Sequence, residues 1–223
     1  SCNYLNNGSA IVNPNGGTPG YTYLWLPGNQ TTATINNLAS GTYTAIITDL
    51  KGCSTTTIAN VYEPNALNTS FINLTNVSCF NGNNGSVTAS GNGGTPNYTY
   101  TWTPGNITGA TISNLQAGIY TVTATDSKNC LTTNTVSVTQ PIPITITQTI
   151  TNVSCSGGNN GSISITANGG TSPLNYLWLP GGQTSSSVSS LSAGNYTVSV
   201  TDSKGCNLKN TFMIAQSPSI AIS

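Results

Sequence analysis

Six cysteines are the residues of this sequence whose type and spacing point most directly to chemistry. They fall at positions 2, 79 and 155 and again at positions 53, 130 and 206, so each member of the first set precedes one of the second by 51 positions. Paired thiols form disulfides in an oxidising compartment or bind zinc. The chain has no histidine and no close Cys-x-x-Cys, and the pattern therefore favours disulfides over a metal site.

The few charged side chains gather in one recurring turn. Asp126-Ser-Lys128-Asn-Cys130 has equivalents at 49–53 and 202–206, in a chain that is only 4% charged and has no net charge. We interpret this segment as an Asx-type turn with a solvated lysine. The alternative is a calcium site completed by backbone carbonyls, because one carboxylate is too few to hold the ion alone.

This composition excludes several classes of function. Without histidine there is no imidazole base, and four carboxylates in the whole chain leave little for paired acid–base catalysis. We therefore predict no enzymatic activity, no catalytic residues, no metal and no cofactor. Four cations at zero net charge provide no attraction for nucleic acid, and no run of 18 apolar residues is present to insert into a membrane.

The chain contains three copies of one pattern, which step by 77 and then 76 residues. Each copy has an Asn-Asn-Gly-Ser turn, a Gly-Gly-Thr turn, a Tyr-x-Trp segment and a Pro-Gly turn in the same order. Rare residues keep the register: Trp25, Trp102 and Trp178, and Asp49, Asp126 and Asp202. Such self-similarity at a fixed period is typical of a tandem-repeat protein.

Apolar residues alternate with a period of two. In 120–126, Tyr120, Val122 and Ala124 alternate with threonines, which is typical of a half-buried strand. Glycine-rich turns every eight to twelve residues are typical of a β-sandwich. We predict an all-β chain of three tandem immunoglobulin-like β-sandwich repeats, each of about 75 residues, in an elongated array.

Proline-rich stretches at 62–66 and 139–144 mark the joints between repeats. We assign repeat 1 to residues 1–64, with its first strand missing, and repeat 2 to residues 65–141. Repeat 3 occupies residues 142–223 together with the start of a following repeat at 219–223. The missing first strand of repeat 1 and the start of a following repeat predict that the chain is part of a longer array.

The constant spacing favours disulfides within each repeat: Cys2–Cys53, Cys79–Cys130 and Cys155–Cys206. The alternative is a clasp across each joint, Cys53–Cys79 and Cys130–Cys155. One difficulty faces the first scheme, because a simple antiparallel sandwich places the end of its first strand and its last turn at opposite ends. The scheme holds if the segment before the first cysteine spans the joint.

Two recurring aromatic positions are predicted to be structural. We expect the tryptophans to lie in the cores rather than to form sugar-stacking platforms, and the Leu-x-x-Gly-x-Tyr pattern resembles a tyrosine corner. We expect a neighbouring strand or repeat to cover the leucines that flank Trp25 and Trp178; the alternative is an exposed contact ridge. The positions assigned to structure are Trp25, Trp102, Trp178, Tyr43, Tyr120 and Tyr196.

The whole chain resembles the SprB repeat of the giant gliding-motility adhesins of Bacteroidetes. The motifs that carry the resemblance are V-S-C-x-x-G-x-N-G-S (77–86, 153–162), G-G-T, Y-x-W-x-P-G (100–105, 176–181), L-x-A-G-x-Y-T-V (115–122, 191–198) and T-D-S-K-G/N-C (125–130, 201–206). Repeat 1 departs most, with Cys2-Asn-Tyr-Leu in place of Cys-x-Gly-Gly. The resemblance implies a very large protein, secreted to the cell surface by type IX export.

The sequence leads to three hypotheses about function. The leading hypothesis is a non-catalytic spacer of a surface adhesin or filament, in which the partners of each repeat are its neighbours in the same chain. The second is a module that binds polysaccharide directly through tyrosine, tryptophan and polar loops. The third, an enzyme, has only serine and threonine as candidate nucleophiles and no base to activate them.

Overall fold

The computed structural model of the chain describes residues 2–3 and 5–219, where strands and turns account for all regular structure and no helix occurs. The predicted start of a following repeat lies outside these residues, except for Ser219. Repeat 1 contains β1 (Gly8–Ile11), β2 (Thr22–Leu26), β3 (Thr34–Leu38), β4 (Gly41–Thr48) and β5 (Ser54–Val61).

Repeats 2 and 3 follow the same order with additional strands. Repeat 2 contains β6 (Asn68–Thr75), β7 (Gly85–Asn92), β8 (Thr99–Thr103), β9 (Ile107–Thr108), β10 (Thr111–Leu115), β11 (Gly118–Thr125) and β12 (Leu131–Val138). Repeat 3 contains β13 (Thr145–Thr151), β14 (Gly161–Asn168), β15 (Asn175–Leu179), β16 (Ser187–Leu191), β17 (Gly194–Thr201) and β18 (Asn207–Ile214).

Each repeat is built from two antiparallel sheets. One sheet has the order β1-β3 in repeat 1, β10-β7-β6 in repeat 2 and β13-β14-β16 in repeat 3. The other has the order β2-β4-β5, β12-β11-β8-β9 and β15-β17-β18. The described part of repeat 1 thus lacks the strand that β6 and β13 supply in the later repeats. The predicted all-β array of immunoglobulin-like sandwiches is confirmed.

The period-two pattern places one apolar face of each sheet in the core. In repeat 3, Trp178 is fully buried and its ring centroid lies 6.2 Å from that of Phe212. Leaving such side chains in water would be unfavourable by roughly 1.5–3 kcal/mol each. The core of repeat 3 also contains Val153, Ile163, Ile165, Val188, Leu191, Val198, Val200 and Ile214. The core of repeat 1 contains Ala10, Val12, Trp25, Ile35, Leu38, Ala45 and Ile47.

The chain divides into two compact units that share repeat 2. The first comprises Ser1–Ile72, Thr88–Ala110 and Tyr120–Thr135, and the second comprises Asn73–Val87, Thr111–Ile119 and Val136–Ser223. Each unit contains one joint between repeats. The disulfide and the backbone contacts of each joint therefore lie within a single unit.

Candidate functional site

The recurring aspartate organises the turn that carries the second cysteine of each repeat. One carboxylate oxygen of Asp126, Oδ1, accepts hydrogen bonds from the backbone N–H groups of Lys128 and Cys130, at 2.8 and 2.9 Å. Its Oδ2 accepts one from the N–H of Thr95 at 2.8 Å. The side chain thus ties the Gly-Gly-Thr turn to the cysteine turn at one end of the sandwich.

The same bonds recur in the other repeats. Asp202 accepts from the N–H groups of Lys204, Cys206 and Thr171 at 2.8, 2.9 and 2.8 Å. Asp49 makes the equivalent bonds in repeat 1, to residues 51, 53 and 18, at 2.9, 2.9 and 3.0 Å. The bond from residue i+2 to Oδ1 is the Asx turn that the sequence predicts.

These hydrogen bonds favour the charged form of each aspartate. The N–H of Thr18 is the largest influence on Asp49 and lowers its pKa. Burial acts to raise the pKa of Asp126 and Asp202, but their backbone hydrogen bonds outweigh it, so that both pKa values lie below the usual range. Within residues 2–3 and 5–219, no cluster of three or more cysteine or acidic side chains is placed to hold a metal ion.

The disulfides join different repeats, and the expected pairing within repeats is wrong. Cys2 of repeat 1 is bonded to Cys130 of repeat 2, with Cα atoms 5.4 Å apart. Cys79 of repeat 2 is bonded to Cys206 of repeat 3 at a Cα distance of 5.5 Å. Both distances are ordinary for a disulfide. The alternative clasp, Cys53–Cys79 and Cys130–Cys155, is wrong as well.

Strand direction explains why a repeat cannot close on itself. In repeat 3, Cys206 directly precedes β18, whereas the loop that carries Cys155 contacts the other end of this strand, where the N–H of Val153 donates to the carbonyl of Ala215 at 3.0 Å. The eight residues of β18 separate the two ends by about 26 Å. The first cysteine can reach only the next repeat, whose cysteine turn lies at the joint.

Cys53 and Cys155 are therefore unpaired, contrary to the expectation that all six cysteines form disulfides. Both side chains are exposed. Cys130, by contrast, is only 7% exposed in its disulfide.

Backbone contacts accompany each disulfide. The N–H of Gly94 donates to the carbonyl of Asn65 at 2.7 Å in the first joint, and the N–H of Gly170 donates to the carbonyl of Ile142 at 3.0 Å in the second. The preceding glycine of each turn also lies against the joint segment. A Cβ atom added at Gly93 or Gly169 would be 2.0 Å from a carbonyl oxygen of that segment.

The second joint encloses a cavity of about 410 Å³. Its lining includes the Cys79–Cys206 disulfide, the Pro141–Ile144 segment and Asp202. Disulfide and backbone thus connect repeats 2 and 3 along two separate covalent routes. The candidate functional site of the chain is this doubly connected joint.

The predicted structural aromatics lie where a structural role requires them. Trp25, Trp102 and Trp178 have no exposed surface, and each indole N–H donates to a backbone carbonyl seven residues later. The hydroxyls of Tyr43 and Tyr196 donate to carbonyls four residues upstream, at 3.1 and 3.0 Å. Tyr120 occupies the equivalent position on β11.

The leucines that flank Trp25 and Trp178 are exposed, so the expectation that a neighbouring strand or repeat covers them is wrong. Their exposed fractions run from 36% for Leu24 to 56% for Leu179, with Leu26 and Leu177 between. They point away from the core because successive side chains of a strand alternate between faces.

Comparison with known families identifies the repeats. The SprB repeat model matches residues 1–30, 72–107 and 147–183. This chain carries SprB repeats. Each match covers the first cysteine, the Gly-Gly-Thr turn and the Tyr-x-Trp strand, which confirms the resemblance seen in the motifs. The SprB match indicates that the chain is a structural repeat module of the cell surface.

Beyond the family match, the chain is similar at low sequence identity to solved structures of immunoglobulin domains. No curated protein sequence matches the chain. Among solved structures, it is similar to the N-terminal eight Ig domains of Down syndrome cell adhesion molecule isoform 1.30.30, with 16% identity and a TM-score of 0.41 over 88% of this chain and 33% of that one. It is also similar to a three-Ig fragment of titin, an E-to-A mutated variant, with 14% identity and a TM-score of 0.40 over 91% and 90%. This chain spans about a third of the first structure.

The actual pairing left a signal in the sequence. The separations of 128 and 127 residues between bonded cysteines are as regular as the separation of 51 within a repeat. A simple antiparallel sandwich places the end of its first strand and its last turn at opposite ends. This requirement excludes the 51-residue pairing within a repeat and leaves the longer pairing between repeats.

No helix of the described residues is long and apolar enough to cross a membrane.

Proposed function

We propose that these SprB repeats are non-catalytic spacers of a large secreted adhesin or filament, of the kind that serves gliding motility and leaves the cell by type IX export. The observation that carries the proposal is the second covalent connection between consecutive repeats. A single backbone crossing leaves a joint free to swivel, whereas two crossings restrict it. A spacer that must hold an adhesive end away from the cell benefits from that restriction.

The two disulfides also limit how far the chain can be stretched. The shortest covalent path from Cys2 to Cys206 crosses to Cys130, returns along the backbone to Cys79 and crosses again. It contains 51 residues of backbone instead of 204. At about 3.5 Å per extended residue, the path ends at about 180 Å, against about 710 Å without disulfides.

Single-molecule force spectroscopy tests this limit. We expect the segment from Cys2 to Cys206 to stop near the shorter length in the oxidised chain and to reach the longer one in reducing buffer; the 18 residues outside it add about 60 Å to both limits when the chain is held at its two ends. Cys206→Ser should give an intermediate limit of about 270 Å, because 76 residues then separate Cys130 from position 206. Equal limits in oxidising and reducing buffer would refute a spacer whose joints are crossed by the Cys2–Cys130 and Cys79–Cys206 disulfides.

Imaging of the intact parent protein tests the spacer role itself. A label bound to these repeats is expected along a shaft. A label confined to the distal tip would contradict the proposal and favour the alternative, direct binding of polysaccharide.

The alternative also has a test of its own. Full burial of all three tryptophans removes the best stacking platforms from the surface. Pull-down of the chain with insoluble polysaccharides is expected to give no retention above that of an unrelated Ig-like domain. Retention that free sugar reverses would support the binding module instead.

A further inference from the structure

We propose that β2 and β15 are open sheet edges, and that two copies of this chain associate side by side through them. In this association the edge strand of one copy adds to the sheet of the other. The inference goes beyond the spacer role, because a spacer holds an adhesive end outward whether or not copies associate.

β2 is an edge strand with free backbone groups, since it pairs only with β4. The N–H and the carbonyl of Trp25 point away from β4, because they bond to Gln30 and Asn29 of the following loop at 2.9 and 2.8 Å. Alternate residues of an edge strand point their backbone groups the same way, so those of Tyr23 also point outward. No backbone group in the described part of the chain bonds to Tyr23 from that side.

β15 repeats this arrangement in repeat 3, where it pairs only with β17. The N–H of Trp178 donates to the carbonyl of Gln183 at 2.9 Å, and its carbonyl accepts from the N–H of Gly182 at 2.8 Å. The backbone groups of Tyr176 therefore point outward as well. Each of the two edges thus presents a free donor and a free acceptor on one residue.

Repeat 2 shows what such an edge accepts. There the equivalent strand β8 is covered by β9, which pairs with it in an antiparallel ladder. The carbonyl of Tyr100, the equivalent of Tyr23, accepts a hydrogen bond from the N–H of Gly109 at 3.0 Å. This edge of the sandwich therefore takes up an added strand without any change of fold.

The loop sequences explain why only repeat 2 covers its own edge. The loop after β8 reads P-G-N-I-T-G-A (104–110), and the loop after β2 reads P-G-N-Q-T-T-A (27–33). Gly109 has a φ of +119°, which residues with a Cβ rarely adopt, and repeats 1 and 3 carry Thr32 and Ser185 at this position. Without the glycine the loop does not run back along the edge, so β2 and β15 stay open.

Neighbouring repeats of the same chain are not the occupants of these edges. Repeat 2 lies between two repeats in the chain, and its edge is covered by its own β9. β2 and β15 belong to the repeats that adjoin repeat 2, and neither pairs with a described strand of it. A longer array would therefore leave both edges open.

The open edges also carry no device against pairing. The other sheet of each repeat ends in β3, β10 or β16, and the fourth residue of each of these strands has a positive φ: 56° at Asn37, 57° at Asn114 and 57° at Ser190. Such a distortion hinders the addition of a further strand. β2 and β15 have no residue with positive φ and no charged side chain.

The exposed leucines of these strands are not required by the fold. Thr101 and Thr103 of β8 occupy the positions of Leu24 and Leu26, and repeat 2 forms the same kind of sandwich. Leu24 and Leu26 are 36% and 41% exposed beside the open edge. An added strand would cover part of this apolar surface, which gives the leucines a role in association.

A second copy fits the edge because the strand is complementary to itself. When two β2 strands run antiparallel about Tyr23, the two tyrosines exchange both of their outward backbone hydrogen bonds. Leu24 of one copy then lies diagonally across from Leu24 of the other, within reach of side-chain contact. No charge opposes the approach, because the strand has none and the chain has no net charge. Five-residue edges make a small contact, so the association is weak and depends on concentration.

Sedimentation velocity tests the association in a Cys53→Ser/Cys155→Ser background, which excludes dimers linked by these exposed thiols. The parent chain should form reversible dimers at concentrations up to about 1 mM. Leu24→Lys/Leu177→Lys places like charges across both edges and should weaken dimerisation about tenfold or more. A parent chain that stays monomeric over this range would assign the edges to a partner other than a second copy and overturn the proposal.

The matched control is Ile58→Lys/Met213→Lys. It adds the same charge to the same two sheets, at positions 64% and 66% exposed on β5 and β18, the strands farthest from the open edges. At physiological salt its dimerisation should stay within about twofold of that of the parent chain, because charges at this separation are largely screened. Equal weakening in both double variants would show that total charge and not the edge controls association, which contradicts the proposal.

A further variant closes one edge without adding charge. Gln30→Ile/Thr32→Gly gives repeat 1 the loop sequence of repeat 2, so that the loop should cover β2 as β9 covers β8. In a Leu177→Lys background, where β2 is the edge left to pair, this change should weaken dimerisation about tenfold. Circular dichroism verifies that the variants fold. If the covered chain dimerises as strongly as its background, the edge is not used and the proposal fails.

Discussion

At the scale of single residues, the buried tryptophans dominate the packing of the sandwiches. Trp178→Ala removes a side chain with no exposed surface and should lower the free energy of unfolding by about 3–5 kcal/mol. Leu179→Ala, one residue on and 56% exposed, is the control and should change it by less than about 0.5 kcal/mol. Urea titration followed by circular dichroism measures both, and similar losses in the two variants would contradict this assignment of the core.

The aspartates predict how the chain responds to acid. Because backbone hydrogen bonds hold the pKa values of Asp49, Asp126 and Asp202 below the unfolded value, their stabilising effect is complete above about pH 3.9 and is lost as the pH falls further. We expect a constant Tm from pH 7 to 5 and a steep decline below pH 4. Charge repulsion adds little, since the side chains reach only +4 when all carboxylates are protonated.

A variant isolates this effect. Asp126→Asn cannot accept three N–H bonds through a charged group, and it should have a lower Tm at pH 7 and a shallower decline in acid than the parent chain. Calorimetry from pH 7 to pH 2 provides the measurement. Identical pH profiles for parent and variant would show that the turn carboxylate does not control acid stability.

At the scale of elements, the strands were predictable because local rules decide them. Period-two alternation and glycine turns recur three times, and each repeat supplies the same information again. The disulfide partners were not predictable from spacing, because regular repeats make every spacing regular. Only strand direction distinguishes pairing within a repeat from pairing between repeats. Cys206 precedes β18 at the joint with repeat 2, and β18 runs from there to the opposite end of repeat 3, where the first cysteine of that repeat lies. Cys206 is therefore bonded to the first cysteine of repeat 2, Cys79.

The Gly-Gly turn provides a direct test of the joint contact. Gly169→Ala and Gly16→Ala both place alanine at positive φ, +84° and +79°, which costs about 1–3 kcal/mol in each. Only the first also drives a Cβ into the carbonyl of Pro143. The difference between their unfolding free energies should therefore be about 1–3 kcal/mol from overpacking. Equal losses in a denaturant titration would mean that the joint segment does not pack on the turn.

At the scale of the whole molecule, each disulfide closes a loop of more than half the chain. By loop-closure entropy, the Cys2–Cys130 disulfide, whose cysteines are 128 residues apart, should raise the free energy of unfolding by up to about 5 kcal/mol. Cys130→Ser should lower the free energy of unfolding by about 2–5 kcal/mol, whereas Cys53→Ser should leave it unchanged, because that thiol is free and exposed. A loss of stability in Cys53→Ser would indicate that it is paired in solution.

Doubly connected joints also predict the behaviour of the chain in solution. Each joint within its unit is crossed by one disulfide and by the backbone. Small-angle scattering of the double variant Cys130→Ser/Cys206→Ser should show a broader distribution of interatomic distances than that of the oxidised parent chain, because its joints keep only the backbone connection. Identical curves for parent and double variant would show that the disulfides do not stiffen the joints.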